Sequence, residues 1–162
     1  MSSCVIPGSF DPVTIGHLRL IEQAAAVFDR VTVTIMVNIR KKGTFPVSMR
    51  KHFLEISLRH LNNVRVDQWD GLLADYMENS GETCLIRGLR SGTEADSEMI
   101  SAAVNRNLNS RLITLLMPTD DSVSFVSSSM VRELIAFGGD PIPFLPPAAA
   151  EEICLALSNV NK

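Results

Sequence analysis

Short apolar runs rich in β-branched residues return along this chain at intervals that each leave room for one helix. That alternation constrains the fold more than any other feature of the sequence. The runs are Cys4-Val5-Ile6, Val31 to Val37, Val64-Arg65-Val66, Cys84-Leu85-Ile86 and Leu112 to Met117. Between them the apolar residues take helical spacing. Leu18, Ile21, Ala25 and Phe28 share one face, and so do Met49, Phe53 and Ile56. Leu72 to Ser80 reads as a helix capped by Gly81, Glu94 to Leu108 as a longer one, and Ser128 to Phe137 as one closed by Gly138-Gly139. Pro141 to Pro147 leads to a last helix around Ala148 to Leu157. Strand then helix, about five times over, means a parallel sheet with right-handed crossovers, since a parallel neighbour is reached only across a face of the sheet. The expectation is a Rossmann-like α/β domain: a five-stranded parallel sheet with helices on both faces and a C-terminal helix. With 162 residues and no linker, repeat or low-complexity stretch, residues 1–162 read as a single domain.

The charge balance narrows the function classes. A formal net charge of -3, with Arg40-Lys41-Lys42 the one local basic cluster, argues against a nucleic-acid binder. No apolar run has the length of a membrane span, and Met1-Ser2-Ser3-Cys4 leads into a strand instead of a signal peptide. The three cysteines lie far apart without metal-ligand spacing, which suggests buried, reduced thiols and a cytoplasmic protein.

In an open parallel sheet, ligands bind beyond the carboxyl ends of the strands, so the residues after each strand carry the functional signal. The first such stretch is PGSFDPVTIGH, Pro7 to His17. Thr14 reads as the N-cap of a helix, with Val13 and Leu18 at the staple positions. His17 then sits in the first helical turn, where free N–H groups favour an anion and the positive helix end disfavours imidazolium. The expectation is a neutral His17 donating a hydrogen bond to a phosphate oxygen. Gly8 and Ser9 supply a tight turn and a hydroxyl, and Gly16 leaves room for a ligand. After the second run comes Asn38-Ile39-Arg40-Lys41-Lys42-Gly43, whose lysine is either a phosphate contact or a solvated loop residue. Leu72 and Leu73 after the third are either an apolar wall or core. Ile86-Arg87-Gly88-Leu89-Arg90 after the fourth places two arginines around a glycine, a fork suited to polyphosphate, and Glu98 beyond it can receive a sugar hydroxyl or simply face solvent. After the fifth, Val123-Ser124-Phe125-Val126-Ser127-Ser128-Ser129 brings three consecutive serines to a helix start. Neither G-x-G-x-x-G after the first run nor G-x-x-x-x-G-K-[ST] occurs, which disfavours a dinucleotide oxidoreductase or a P-loop NTPase.

The set T-x-G-H (Thr14 to His17), I-R-G-L-R (Ile86 to Arg90) and S-F-V-S-S-S (Ser124 to Ser129) resembles the nucleotidyltransferase α/β phosphodiesterase superfamily. Within it, the opening P-G-S-F-D-P-V-T-x-G-H is similar to that of the bacterial phosphopantetheine adenylyltransferase family, a likeness running from Cys4 to about Leu155. The resemblance implies transfer of the adenylyl group of Mg-ATP to 4′-phosphopantetheine, giving dephospho-coenzyme A and pyrophosphate. It implies a catalytic role for His17, with Ser9 beside it orienting the reacting phosphates, and ATP contacts by Ser9, Phe10, His17, Gly88, Leu89, Arg90, Glu98, Val123, Ser124, Phe125, Val126, Ser127, Ser128 and Ser129. It assigns Ser9, Lys41, Leu73 and Arg87 to the acceptor, brings Mg2+ in on the nucleotide, and implies a cytoplasmic homohexamer. The chain differs from the family's usual pattern at Ile39, Met49, Ala95, Ser97 and Val123, the last three standing where aromatic residues are usual. Transfer of this kind needs positioning and charge stabilisation, not a covalent nucleophile, and no Ser-His-Asp set, nucleophilic cysteine or carboxylate cluster for a protein-held metal is evident. Two alternatives stand beside this reading. One is the same chemistry on another phosphate acceptor, such as a pyridine mononucleotide or an alcohol phosphate; the other is a nucleotide-binding paralogue with little turnover.

Overall fold

The five apolar runs become the five strands of one parallel sheet. In the computed structural model, which describes residues 1–37 and 42–160, they are β1 (Ser3–Gly8), β2 (Arg30–Met36), β3 (Val64–Trp69), β4 (Cys84–Leu89) and β5 (Ile113–Pro118). Their order across the sheet is β3-β2-β1-β4-β5. Among the described residues the α-helices are α1 (Ile15–Val27), α2 (Val47–Ser57), α3 (Leu73–Ser80), α4 (Gly92–Leu108), α5 (Ser128–Ala136) and α6 (Ala150–Val160). β3 and β4 run past their apolar stretches because their polar ends still pair. Asp67, Gln68 and Trp69 stand opposite Thr34, Ile35 and Met36, and Arg87, Gly88 and Leu89 stand opposite Leu116, Met117 and Pro118.

Alternation along the strands assigns the two faces. Cys4, Ile6, Val33, Ile35 and Ile86 pack with Ile21 of α1, Leu54 of α2, Val131 of α5 and Ile153 of α6 in the larger core. Val5 and Leu85 face the other way, against Ala74, Tyr76 and Met77 of α3. That second face is more polar: Thr32 Oγ1 accepts from Arg65 Nε at 2.8 Å, and the Tyr76 hydroxyl donates to Asp67 at 2.9 Å. Helix α4 contributes no fully buried residue. It touches α3, β4 and β5 at the sheet margin and leaves Ile100, Val104 and Leu108 exposed.

The expected caps form. Gly81 ends α3 with φ of 71°, a conformation that favours glycine. The cysteines need one correction: Cys4 is fully buried, whereas Cys84 and Cys154 are half-buried, and all three are free. Burial, with Cys84 and Glu82 nearby, pushes the Cys4 thiol up to about 12, so it packs as a small apolar group. No helix among the described residues is long and apolar enough to cross a membrane.

The strand order places the site. From β1 the sheet grows one way through β2 and β3, and the other way through β4 and β5. The connections leaving β1 and β4 therefore diverge, and a crevice opens between their carboxyl ends.

Candidate active site

That crevice is a cavity of about 430 Å³, lined from the loops after β1, β4 and β5. Three helix N-termini meet at it: Gly16 and His17 of α1, Glu94 of α4, and Ser127 to Ser129 at the start of α5. Unpartnered first-turn N–H groups and aligned peptide dipoles make such a meeting point favourable for a polyanion.

The opening loop builds one wall. Phe10 takes a left-handed backbone conformation, φ 46°, and buries its ring against Gly8. A Cβ on Gly8 would stand 2.9 Å from that ring, so glycine is needed there. The Phe10 ring meets the His17 ring edge-on, with centroids 5.0 Å apart. Thr14 is the N-cap, as its position suggests, and its hydroxyl accepts the His17 N–H at 3.4 Å. In return His17 Nδ1 accepts the Thr14 N–H at 3.1 Å, closing a capping box with a histidine where Glu or Gln is usual.

This bond fixes the chemistry of the ring. With Nδ1 accepting, a neutral His17 carries its proton on Nε2. Burial first, and then the Arg90 and Arg87 guanidiniums, together lower its pKa to about 4. At neutral pH the ring is therefore an uncharged donor.

The cations come from two elements. Arg87 is clasped by Glu98 at 2.8 and 2.9 Å and donates to the Pro7 carbonyl at 3.0 Å. Arg90 pairs with Glu94 one turn into α4. Arg132, which the sequence reading missed, donates to the Asp11 carbonyl and to Ser129 Oγ, the latter at 3.1 Å, and lines the same cavity. The signal was available, because Arg132 lies three and four residues after Ser129 and Ser128 and so shares their helix face. The three serines divide their tasks. Ser127 caps α5 by accepting from the Met130 N–H, Ser128 donates to the Pro12 carbonyl at 2.7 Å, and Ser129 meets Arg132. Their hydroxyls are thus partly engaged, and the free N–H groups of the first turn become the larger part of what α5 offers an anion.

A second bracket secures the opening loop from behind. The buried Asp11 carboxylate accepts the N–H groups of Thr44 and Phe45 at 2.7 and 2.9 Å. Arg50, also buried, donates to the Phe45 carbonyl at 2.7 Å and to the Ser9 carbonyl at 3.4 Å. The segment following Gly43 is thereby fastened to the loop that carries Ser9.

Of the residues singled out from sequence, Ser9, Phe10, His17, Arg87, Gly88, Arg90, Glu98, Val123, Val126, Ser127, Ser128 and Ser129 all line this cavity. Leu73 lines a neighbouring one of about 370 Å³, whose wall also includes Arg87 and Glu98. Three residues do not reach the cavity wall. Leu89 alternates away from Gly88 along β4. The Ser124 hydroxyl turns back to the Asp121 carbonyl. Phe125 is 64 % exposed, with its ring edge-on to Phe144. Lys41 lies outside the described residues.

Residues 5–134 match the family described as cytidylyltransferase-like. The whole chain also superposes on 97% of a structure from Vibrio parahaemolyticus assigned as a nicotinate-nucleotide adenylyltransferase, with a TM-score of 0.69 at 17% identity. At that identity the likeness is one of fold.

Proposed function

The chain belongs to the cytidylyltransferase-like family of nucleotidyltransferases, and from that premise we propose that it transfers the adenylyl group of Mg-ATP to 4′-phosphopantetheine, releasing pyrophosphate and forming dephospho-coenzyme A. The observation that carries the acceptor is the second cavity. It adjoins the first across the Arg87–Glu98 pair, and its wall mixes apolar Leu73, Ile100 and Val104 with polar Ser101, Asn105 and Thr114. A slender arm with alternating amide and alkyl portions suits such a wall, with its terminal phosphate lying toward Arg87.

In this reading an oxygen of the acceptor phosphate attacks the α-phosphorus of ATP. A new P–O bond forms while the bond to the β-phosphate oxygen breaks, and the electron pair leaves with pyrophosphate. No covalent enzyme intermediate is required. His17 Nε2–H donates to the oxygens on which charge accumulates, and because the ring is already neutral and fixed, it needs no rearrangement at the moment of reaction. Ser9 adds a hydroxyl from the same opening loop, while Arg90, Arg132 and the α5 N-terminus hold the departing phosphates. Lys41 and Arg87 receive the acceptor phosphate, and Glu98 holds Arg87 in place. Magnesium enters as part of the nucleotide, retaining water in most of its coordination positions.

A cytoplasmic homo-oligomer completes the proposal. Exposed Leu108 at the end of α4, with exposed Ile113 and Leu115 on the edge strand β5, supports self-association, and the number six rests on the family resemblance. The acceptor is tested by incubating the protein with Mg-ATP and 4′-phosphopantetheine, nicotinate mononucleotide or an alcohol phosphate, and weighing the products. Dephospho-coenzyme A as the main product is expected. A dinucleotide formed faster from the pyridine mononucleotide would overturn the assignment of acceptor while leaving the transfer chemistry intact.

A further inference from the structure

Arg87 near the end of β4 and Arg90 just after it face the same cavity but are held differently. Arg87 is gripped from two sides, by the Glu98 carboxylate and by the uncharged Pro7 carbonyl. Arg90 has no such second anchor among the described residues. Glu94 Oε2 accepts from the Arg90 backbone N–H at 3.2 Å and from its Nε at 3.3 Å, and Oε1 accepts from its Nη2.

The position of Glu94 explains why the pair forms. It lies in the first turn of α4, where the helix end favours a carboxylate and where Ser91, the N-cap residue, makes no side-chain cap bond. Burial works against its ionised form, but the hydrogen bonds and charge of Arg90 outweigh that, so its carboxyl titrates below its usual range. Arg90 and Glu94 are 41% and 31% exposed, so a ligand in the cavity can reach both. An accessible ion pair of this kind contributes little on its own, whereas an arginine fork on a phosphate is among the stronger hydrogen-bonded pairs.

We propose that Glu94 is a latch on Arg90, folding its guanidinium back while the cavity is empty and yielding it to the polyphosphate of the incoming nucleotide. Glu94 is then a positioning residue that sets nucleotide affinity by competition. The inference rests on reading the cavity as a nucleotide site. It makes an asymmetric demand on the two partners. Neutralising Glu94 leaves Arg90 free for phosphate, whereas removing Arg90 leaves a bare carboxylate facing the same phosphate.

The test is calorimetric titration of the full chain with inorganic pyrophosphate and with Mg-ATP, comparing wild type, Glu94→Gln, Arg90→Ala and the double variant. Glu94→Gln is expected to bind pyrophosphate more tightly, by up to about fivefold, the upper bound set by the loss of one accessible ion pair. Arg90→Ala is expected to bind more weakly, and Glu94→Gln to gain less in the Arg90→Ala background than in wild type, whereas a Glu94 that merely repels phosphate would give the same gain in both. Unchanged or weaker binding by Glu94→Gln, or an equal gain from Glu94→Gln with and without Arg90, overturns the latch while leaving the nucleotide site standing. Wild-type protein that binds neither ligand contradicts both the latch and the reading on which it rests.

Discussion

His17 and Thr14 hold each other: the histidine Nδ1 accepts the threonine backbone N–H at 3.1 Å, and the threonine hydroxyl accepts the histidine backbone N–H at 3.4 Å. The helix cap and the orientation of the site's imidazole are therefore one structure. A ring placed this way cannot turn without giving up its half of the capping box, the bond to the Thr14 N–H, and its donor nitrogen is chosen by the backbone.

Thr14→Ala should lower stability by about 1 kcal/mol, as expected for the loss of an N-cap hydroxyl. It should also lower turnover, because the ring loses the first turn that aims it. Thr14→Ser should restore both. Denaturant midpoints and initial rates, measured on the same preparations, check the coupling.

The sign of the His17 effect on stability is fixed by the direction of its shift. In the folded protein it titrates near 4 against an ordinary 6.5, so the unfolded chain binds the proton more readily in between. Its contribution to stability is complete above about pH 6.5 and is lost as pH falls toward 4, at up to about 1.4 kcal/mol per pH unit. A His17→Asn variant should show a flatter decline in Tm over that window than wild type.

Gly8→Ala would drive a methyl group into the Phe10 ring, 2.9 Å from its nearest carbons. Overpacking of this kind costs about 1–3 kcal/mol. Since the Phe10 ring supports His17 edge-on, turnover should fall along with Tm. A Phe10→Leu change made together with Gly8→Ala should recover more of the stability than of the rate.

Arg50 forms a buried pair with Asp11, Nε to Oδ1 at 3.5 Å, and bridges the Phe45 and Ser9 carbonyls. Arg50→Ala leaves those acceptors and the carboxylate short of partners, and should cost about 3–5 kcal/mol, as for other broken buried pairs. Arg50→Lys should recover little, because one compact ammonium cannot span three acceptors that the guanidinium fork reaches from separate nitrogens. Chemical denaturation of the two variants provides the comparison.

The sheet was legible in the sequence because each strand is a compact apolar run and each helix a periodic one, so both signals are local. The N-cap at Thr14 and the histidine beside it were legible for the same reason: a cap and its first turn span only a few residues. What sequence reading missed depends on contacts between distant segments. The pairing of Arg87 with Glu98, the bracket of Asp11 and Arg50, and the reach of Arg132 to the Asp11 carbonyl each join different elements. Phe125 shows the converse. It belongs to a motif along the chain, yet a single 3₁₀ turn before it, Asp121–Val123, sends its ring outward to Phe144.

The central claim is that this cavity transfers a nucleotidyl group with His17 as its neutral donor. The most direct test is pyrophosphate release from Mg-ATP, with and without 4′-phosphopantetheine, by wild type and by His17→Ala. Release that requires the acceptor, and that falls about a hundred- to a thousandfold in the variant as when one preorganised donor is lost, is the predicted result. Release that continues undiminished without His17, or no release from a wild-type protein that still binds ATP, would contradict it.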